Sequence, residues 1–413
     1  MELIRYLRQQ IGAARTDSEF RAASAGSACG LQLQVTDMAT TLVVIHPADA
    51  GGGSKAGVDP VITLLASAQV WRDITLPEPP VGFHSFTAAL RQPAQFKADG
   101  TALQLAQSLH ALERLFEILR GQLNDDGAAA GADLQAIHGH YARLTIGEAS
   151  GQLYYEQTGN PDGPPLLMLH TAGADSRQFH PIMADEALRQ RWNLIAFDLP
   201  SHGRSMPWPG QAWRDYRLSK QAYIDFCRAF IEQVIGRPSV LLGCSMGAAM
   251  ALKMAAVCPA LVAGVVALEA PFRATGRRTA MLAHPQVNQA AHNPGYVRGL
   301  MSPSSPLAGR RAAAWIYSQG GFQIYSGDLA FYSEEFDAAA DLQGIDGTNK
   351  GITLLTGSYD YSATPIDSRR VADMIPGARF AVMPDLGHFP MIENPERLMT
   401  YLKPELDYVR SKL

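Results

Sequence analysis

Cysteine is scarce in this chain. Four cysteines in 413 residues (Cys29, Cys227, Cys244 and Cys258), none in a paired spacing, argue against a disulfide framework and for reduced thiols in a cytoplasmic location. Basic runs are missing too, and with a net charge of −4 no nucleic-acid partner is expected. No stretch is long and apolar enough to form an integral membrane segment. The N-terminus, MELIRYLRQQIGAAR, alternates charged and apolar groups at a helical period and lacks the apolar run of a signal peptide. Charged residues are only 18% of the chain, whereas hydrophobic ones are 47%. That is ample material for a core, and the length suggests two domains.

What stands out is the stretch VLLGCSMGAAM, Val240 to Met250. An apolar run climbs into Gly243-Cys244-Ser245-Met246-Gly247, and an Ala/Met-rich helical pattern follows at once. This is G-x-S-x-G between a strand and a helix, the setting in which a very tight turn lifts a serine hydroxyl clear of a sheet. The plainer reading is a glycine-tolerant turn with an incidental serine, so the rest of the chain must decide.

Residues 1–120 read as a small α+β domain. Leu31–Val35, Thr41–Ile45 and Pro60–Leu65 have strand character, the last reached through a glycine-rich loop near 51–57. Ser67 is placed to cap a helix. Leu103, Ala106, Leu109, Leu112, Phe116 and Leu119 fall on one face of a long amphipathic helix. The strand pair, the VITLLASAQVW segment, Phe83, Phe86 and the strand ending Phe96-Lys-Ala-Asp-Gly100 resemble a sterol-carrier-type lipid-binding domain. The alternative is a docking or dimerisation domain that makes the protein a homo-oligomer. Residues 121–136, GQLNDDGAAAGADLQA, are polar and aperiodic and read as a linker.

From 137 to 413 the pattern changes. A hairpin over Tyr141–Ile146 and Gln152–Glu156 precedes buried-looking strands at Leu166–Leu169, Leu194–Phe197, Val240–Leu242, Val262–Leu268, Ile352–Leu355 and Phe380–Met383. Apolar runs alternating with helical stretches predict a mostly parallel sheet with helices on both faces. Polar motifs follow the strand ends: Leu169-His170-Thr171-Ala172-Gly173, Asp198-Leu199-Pro200-Ser201-His202-Gly203-Arg204-Ser205, the Ser245 turn, Thr356-Gly357-Ser358-Tyr359-Asp360 and Asp385-Leu386-Gly387-His388-Phe389-Pro390. Carboxyl edges of parallel strands are where such sheets collect their chemistry.

Serine, acid and histidine in that chain order, with the D-x-P-x-H-G-x-S and G-H-F-P stretches, resemble the α/β-hydrolase superfamily over about residues 138–413. One departure is Thr171, where a glycine usually follows the histidine. The resemblance implies Ser245 as nucleophile, His388 as base and Asp360 as the orienting acid, with Glu269 the substitute acid. Backbone N–H groups of Met246 and Ala172 are the implied oxyanion hole. His170 and His202 are implied to shape loops, and Cys244 to point into the sheet.

Residues about 272–345 exceed what one crossover needs and read as a helical cap. Its aromatic run includes Trp315, Tyr317, Phe322 and Tyr325, expected to line a substrate pocket, together with Phe331 and Tyr332. The expected function is hydrolysis of a small or medium apolar carboxylic ester or lactone, a small-molecule substrate, with no metal and no cofactor. Alternatives are a carbon–carbon bond hydrolase of a vinylogous diketone and a non-catalytic ligand-binding protein on the same fold. Against the first, Phe389 stands where that class commonly has tryptophan; against the second, the nucleophile, acid and base residues are all present.

Overall fold

The computed structural model describes residues 2–25, 29–46, 61–122 and 133–413, apart from the side chain of Trp213. The glycine-rich loop near 51–57 and most of the expected linker lie outside the described residues. The chain forms two compact units, Met1–Ala128 with Ala283–Ser318, and Ala129–Leu282 with Gln319–Leu413. Among the described residues no helix is long and apolar enough to cross a membrane, and no disulfide joins any of the four cysteines.

The first unit holds a four-stranded sheet of β1 (Gly30–Val35), β2 (Thr40–Ile45), β3 (Val61–Ala66) and β4 (Phe96–Asp99) in the order β2-β1-β3-β4. β1 and β3 are parallel; the other pairs are antiparallel. Alternate residues of β3 are buried, as period-2 patterning requires. The Ser67 hydroxyl accepts the Val70 N–H and starts the helix Ala68–Thr75. Phe86, Phe96 and Phe116 meet edge to face at 5.8–6.2 Å and fill the middle of the core.

The long helix, Ala102–Leu119, opens with a Thr101/Gln104 capping box. Its apolar face is where the sequence puts it, but residues 111–119 are buried on every side. Helices Gln289–Gly299 and Leu307–Ser318 of the same unit cover the polar face, and Glu117 accepts hydrogen bonds from Arg114 (2.9 Å), Arg298 and Arg310 (2.8 Å). The structure therefore differs from the expected cap of 272–345, because 283–318 groups with the N-terminal unit. Short helices of mixed character give no periodic signal to tell one host core from another.

The second unit has the α/β-hydrolase fold. Its eight strands are β5 (His138–Ile146), β6 (Ala149–Gly159), β7 (Pro165–Leu169), β8 (Asn193–Phe197), β9 (Ser239–Cys244), β10 (Val262–Leu268), β11 (Gly351–Gly357) and β12 (Arg379–Met383). They lie in the order β12-β11-β10-β9-β7-β8-β6-β5. The hairpin β5–β6 and the pair β6–β8 are antiparallel; all others are parallel. β7, β8, β9 and β11 are buried at every residue, which is why they read as continuous apolar runs. Edge strand β5 is mostly exposed and alternates less clearly. β7, β9, β10 and β11 bring their carboxyl ends to one edge, and the candidate site is built there.

Candidate active site

Ser245 stands between β9 and the helix Met246–Val257 at φ 55°, ψ −113°, a conformation unfavourable for a residue with a Cβ. The turn is tight enough that its flanking glycines leave no room for side chains. A Cβ on Gly243 would fall 2.1 Å from the Gly247 carbonyl oxygen, and one on Gly247 would fall 2.0 Å from that of Leu169. The Ser245 N–H donates to the Leu268 carbonyl at 2.9 Å and fixes the turn to the neighbouring strand end.

Three side chains from three strand ends meet in one line. His388 Nε2 lies 2.9 Å from Ser245 Oγ, and His388 Nδ1 lies 2.6 Å from Asp360 Oδ2. All three are buried. Asp360 Oδ1 accepts the N–H groups of Ser362 (2.6 Å) and Ala363 (3.1 Å), so its loop presents the carboxylate in a fixed direction. Burial alone would raise the Asp360 carboxyl. The charge and hydrogen bond of His388, then a hydrogen bond from Glu269, hold it below the ordinary value. This arrangement can remove a proton from a serine hydroxyl and stabilise the imidazolium that results.

Glu269, the substitute acid of the sequence reading, is wholly buried beside Asp360 at φ 53°. Both its oxygens face the Gly357 N–H at 3.0 Å. Burial first, then the charge of Asp360 and a hydrogen bond to it, push its carboxyl well above the ordinary value. Glu269 is thus a neutral acid donating to the Asp360 carboxylate. Ligand atoms of Glu269, Asp360 and His388 lie within 4.8 Å of one another, the spacing of a metal site. Both imidazole nitrogens of His388 already face Ser245 and Asp360. Cys244 is fully buried, its thiol donates to the His388 carbonyl at 3.3 Å, and burial pushes it well above its usual range. It is no nucleophile.

The loop after β7 is held by a network that sequence reasoning missed. Asp328 accepts the Gly173 N–H (2.7 Å) and the Tyr216 hydroxyl (2.7 Å), and its Oδ2 lies 2.8 Å from His202 Nε2. His202 Nδ1 faces the Pro200 carbonyl at 2.9 Å. Two acceptors call for two N–H donors. Burial opposes the charge on His202, but Asp328 outweighs it and raises the ring above its ordinary value. Beside it, His170 has one acceptor, the Thr171 carbonyl at 2.9 Å, and one donor, the Leu199 N–H at 3.2 Å. That pairing requires the neutral ring, and burial, then the charge of His202, lower it to about 4. Within the loop, Thr171 N–H donates to Gln178 and Ala174 N–H to Thr171. Among the described residues the Ala172 N–H makes no hydrogen bond. Met246 opens its helix, so its N–H has no intrahelical acceptor. Asp328 lies in Ile324–Leu329, a segment whose sequence gives no sign that it reaches back to β7.

The four pocket aromatics divide between the two units. Trp315 and Tyr317 lie on Leu307–Ser318, which groups with the first unit. Phe322 belongs to the second unit and is 43% exposed. Tyr325 is buried against Gly173, whose missing Cβ would sit 2.7 Å from the ring. Tyr332, in the same aromatic run, faces Ser245 instead.

With this geometry in hand, comparison with known proteins identifies the class. The profile of the alpha/beta hydrolase family matches residues 166–400, and the chain belongs to that family. It is similar to a 2-(acetamidomethylene)succinate hydrolase of Mesorhizobium japonicum, 25% identical over 280 residues, covering 64% of this chain and 94% of that protein. Among solved structures it is similar to a thermophilic esterase from Thermogutta terrifontis (TM-score 0.53, 21% identity, 65% of this chain and 99% of that one). An enol-lactonase from Burkholderia xenovorans is likewise similar (TM-score 0.54, 17% identity, 65% and 100%). At these identities the solved structures establish the fold alone.

Proposed function

We propose that this hydrolase cleaves a small or medium carboxylic ester or lactone through an acyl-enzyme on Ser245. The observation that carries the reading is the unbroken line Ser245 Oγ, His388, Asp360 at 2.9 and 2.6 Å. His388 takes the serine proton as Oγ bonds to the carbonyl carbon. The imidazolium then gives that proton to the departing alkoxy oxygen as the C–O bond breaks, and water repeats the sequence to free the acid. Asp360 keeps the imidazole in the tautomer whose Nε2 accepts. The N–H groups of Ala172 and Met246 receive the oxyanion. Esterase, lactonase and substituted-succinate hydrolase activities named for similar proteins support hydrolysis of a small molecule. A cytoplasmic location, and lipid binding or self-association by the N-terminal unit, accompany this reading as further proposals.

A panel of chromogenic esters, lactones and vinylogous diketones, with fluorophosphonate labelling and Ser245→Ala as control, tests it. Ester or lactone turnover and labelling that both vanish in Ser245→Ala are expected. Turnover of diketones alone would move the protein to carbon–carbon hydrolysis. Ester turnover by Ser245→Ala would overturn the nucleophile.

A further inference from the structure

Tyr332 is 2% exposed and sits in Ala330–Glu335, a single π-helical turn of the kind that often marks a functional position. Its hydroxyl stands against the hydroxyls of Ser245 and Ser362 without making a hydrogen bond of good geometry to either. The Ser362 hydroxyl is also buried without a partner. A buried phenol left unpaired costs roughly 1–3 kcal/mol, so a group aimed at the nucleophile in that state invites an acceptor from a bound molecule. The turn is fixed in place. Ser333 Oγ accepts the Arg277 N–H at 3.1 Å and donates to the Ala274 carbonyl at 2.7 Å. This ties the turn to the segment after β10, whose buried Arg277 sets a positive charge near the phenol.

Strand order gives the direction. Ala172 follows β7 and Asp360 and Ser362 follow β11, on opposite sides of the Ser245 strand β9. Tyr332 meets the hydroxyls of Ser245 and Ser362, so it stands on the β11 side of the nucleophile, the side from which His388 returns its proton. Building on the acyl-enzyme reading above, we propose that Tyr332 is a further catalytic residue, whose hydroxyl donates a hydrogen bond to the departing alkoxy oxygen of the ester or lactone. No proton changes hands at Tyr332. The carbonyl carbon–oxygen bond breaks, the electron pair goes to the alkoxy oxygen, His388 protonates it, and the phenol stabilises the negative charge in passing. The charge of Arg277 favours the same negative charge. The subsite therefore suits substrates with a poor, alkyl-type leaving group, including the ring oxygen of a lactone.

The test is the leaving-group dependence of kcat/KM for wild type and Tyr332→Phe on p-nitrophenyl, phenyl and ethyl acetate, with fluorophosphonate labelling rates. Removing one unbonded oxygen keeps the ring in its packing, and circular dichroism checks the fold. Expected is a loss of about tenfold or more on the ethyl ester, within about threefold on the nitrophenyl ester, whose leaving group needs no help, and near-normal labelling. Equal losses across the three esters, or none, would overturn the role of Tyr332 while leaving Ser245 untouched. Wild-type protein that fluorophosphonate fails to label would instead sink the acyl-enzyme reading on which it rests.

Discussion

Two buried glutamates, one in each unit, meet opposite fates. Glu117 and Glu269 are both cut off from solvent. Burial alone would raise either carboxyl, but the charges of Arg298, Arg310, Arg114 and Arg120 pull Glu117 down to about 2. Glu269 has Asp360 for a neighbour and keeps its proton. One is a fixed anion whose removal strands arginines; the other is a neutral donor that tunes a working carboxylate. The environment, not the residue type, decides between structure and chemistry.

The largest effects belong to the second unit. Ser245→Ala is expected to abolish turnover and His388→Ala to cost on the order of 10³-fold or more. Asp360→Asn should cost on the order of 10⁴-fold because an amide favours the wrong tautomer. Double variants should add little, since the three act as one device. Steady-state kinetics on the best ester measures all of these.

Next comes Glu117→Gln, which leaves buried guanidinium groups without their anion and should cost about 3–5 kcal/mol. The urea midpoint of the transition reporting on the first unit reads this out. A variant as stable as wild type would show that the arginine cluster is already satisfied without it.

Acid should separate the two units. His170 is neutral when folded, with a value of about 4, against about 6.5 unfolded. The unfolded chain binds the proton first, so the stability this ring contributes is present above 6.5 and lost as pH falls toward 4. Glu117 contributes above its unfolded value of about 4.3 and loses its contribution only as pH falls through about 2. Melting temperature followed from pH 8 to 4 should therefore fall for the second unit through the histidine window. His170→Asn should flatten that slope; an unchanged slope would refute its origin.

Smallest of all is Glu269→Gln. The amide can donate to Asp360 and accept from Gly357 in the same shape, so activity should stay within about threefold and stability within about 1 kcal/mol. A gain of several kcal/mol would mean that Glu269 is ionised and that the comparison with Glu117 has been misdrawn.

The second sheet was legible because its strands are buried on both faces and separated by helices, a pattern that survives without any tertiary knowledge. Ser245, Asp360 and His388 could be singled out because each follows a strand within a short polar motif. The long helix of the first unit was legible on its apolar side only. Its Arg114, Glu117 and Arg120 look like a solvated face until Arg298 and Arg310, nearly two hundred residues later, are known to cover them. Asp328 was illegible for the same reason: it lies in a short helical turn whose partners are far away in sequence. The aromatic run 315–332 carries no mark of where it divides between two cores.

The backbone at Ser245 has a consequence for how this protein can change. At φ 55°, ψ −113° glycine would sit relaxed where serine is strained, by an amount on the order of 1–3 kcal/mol. A population of variants screened for heat resistance alone would drift toward glycine at this position and fall silent. Only a screen that demands turnover retains the hydroxyl, so robustness and chemistry pull against each other at this one residue.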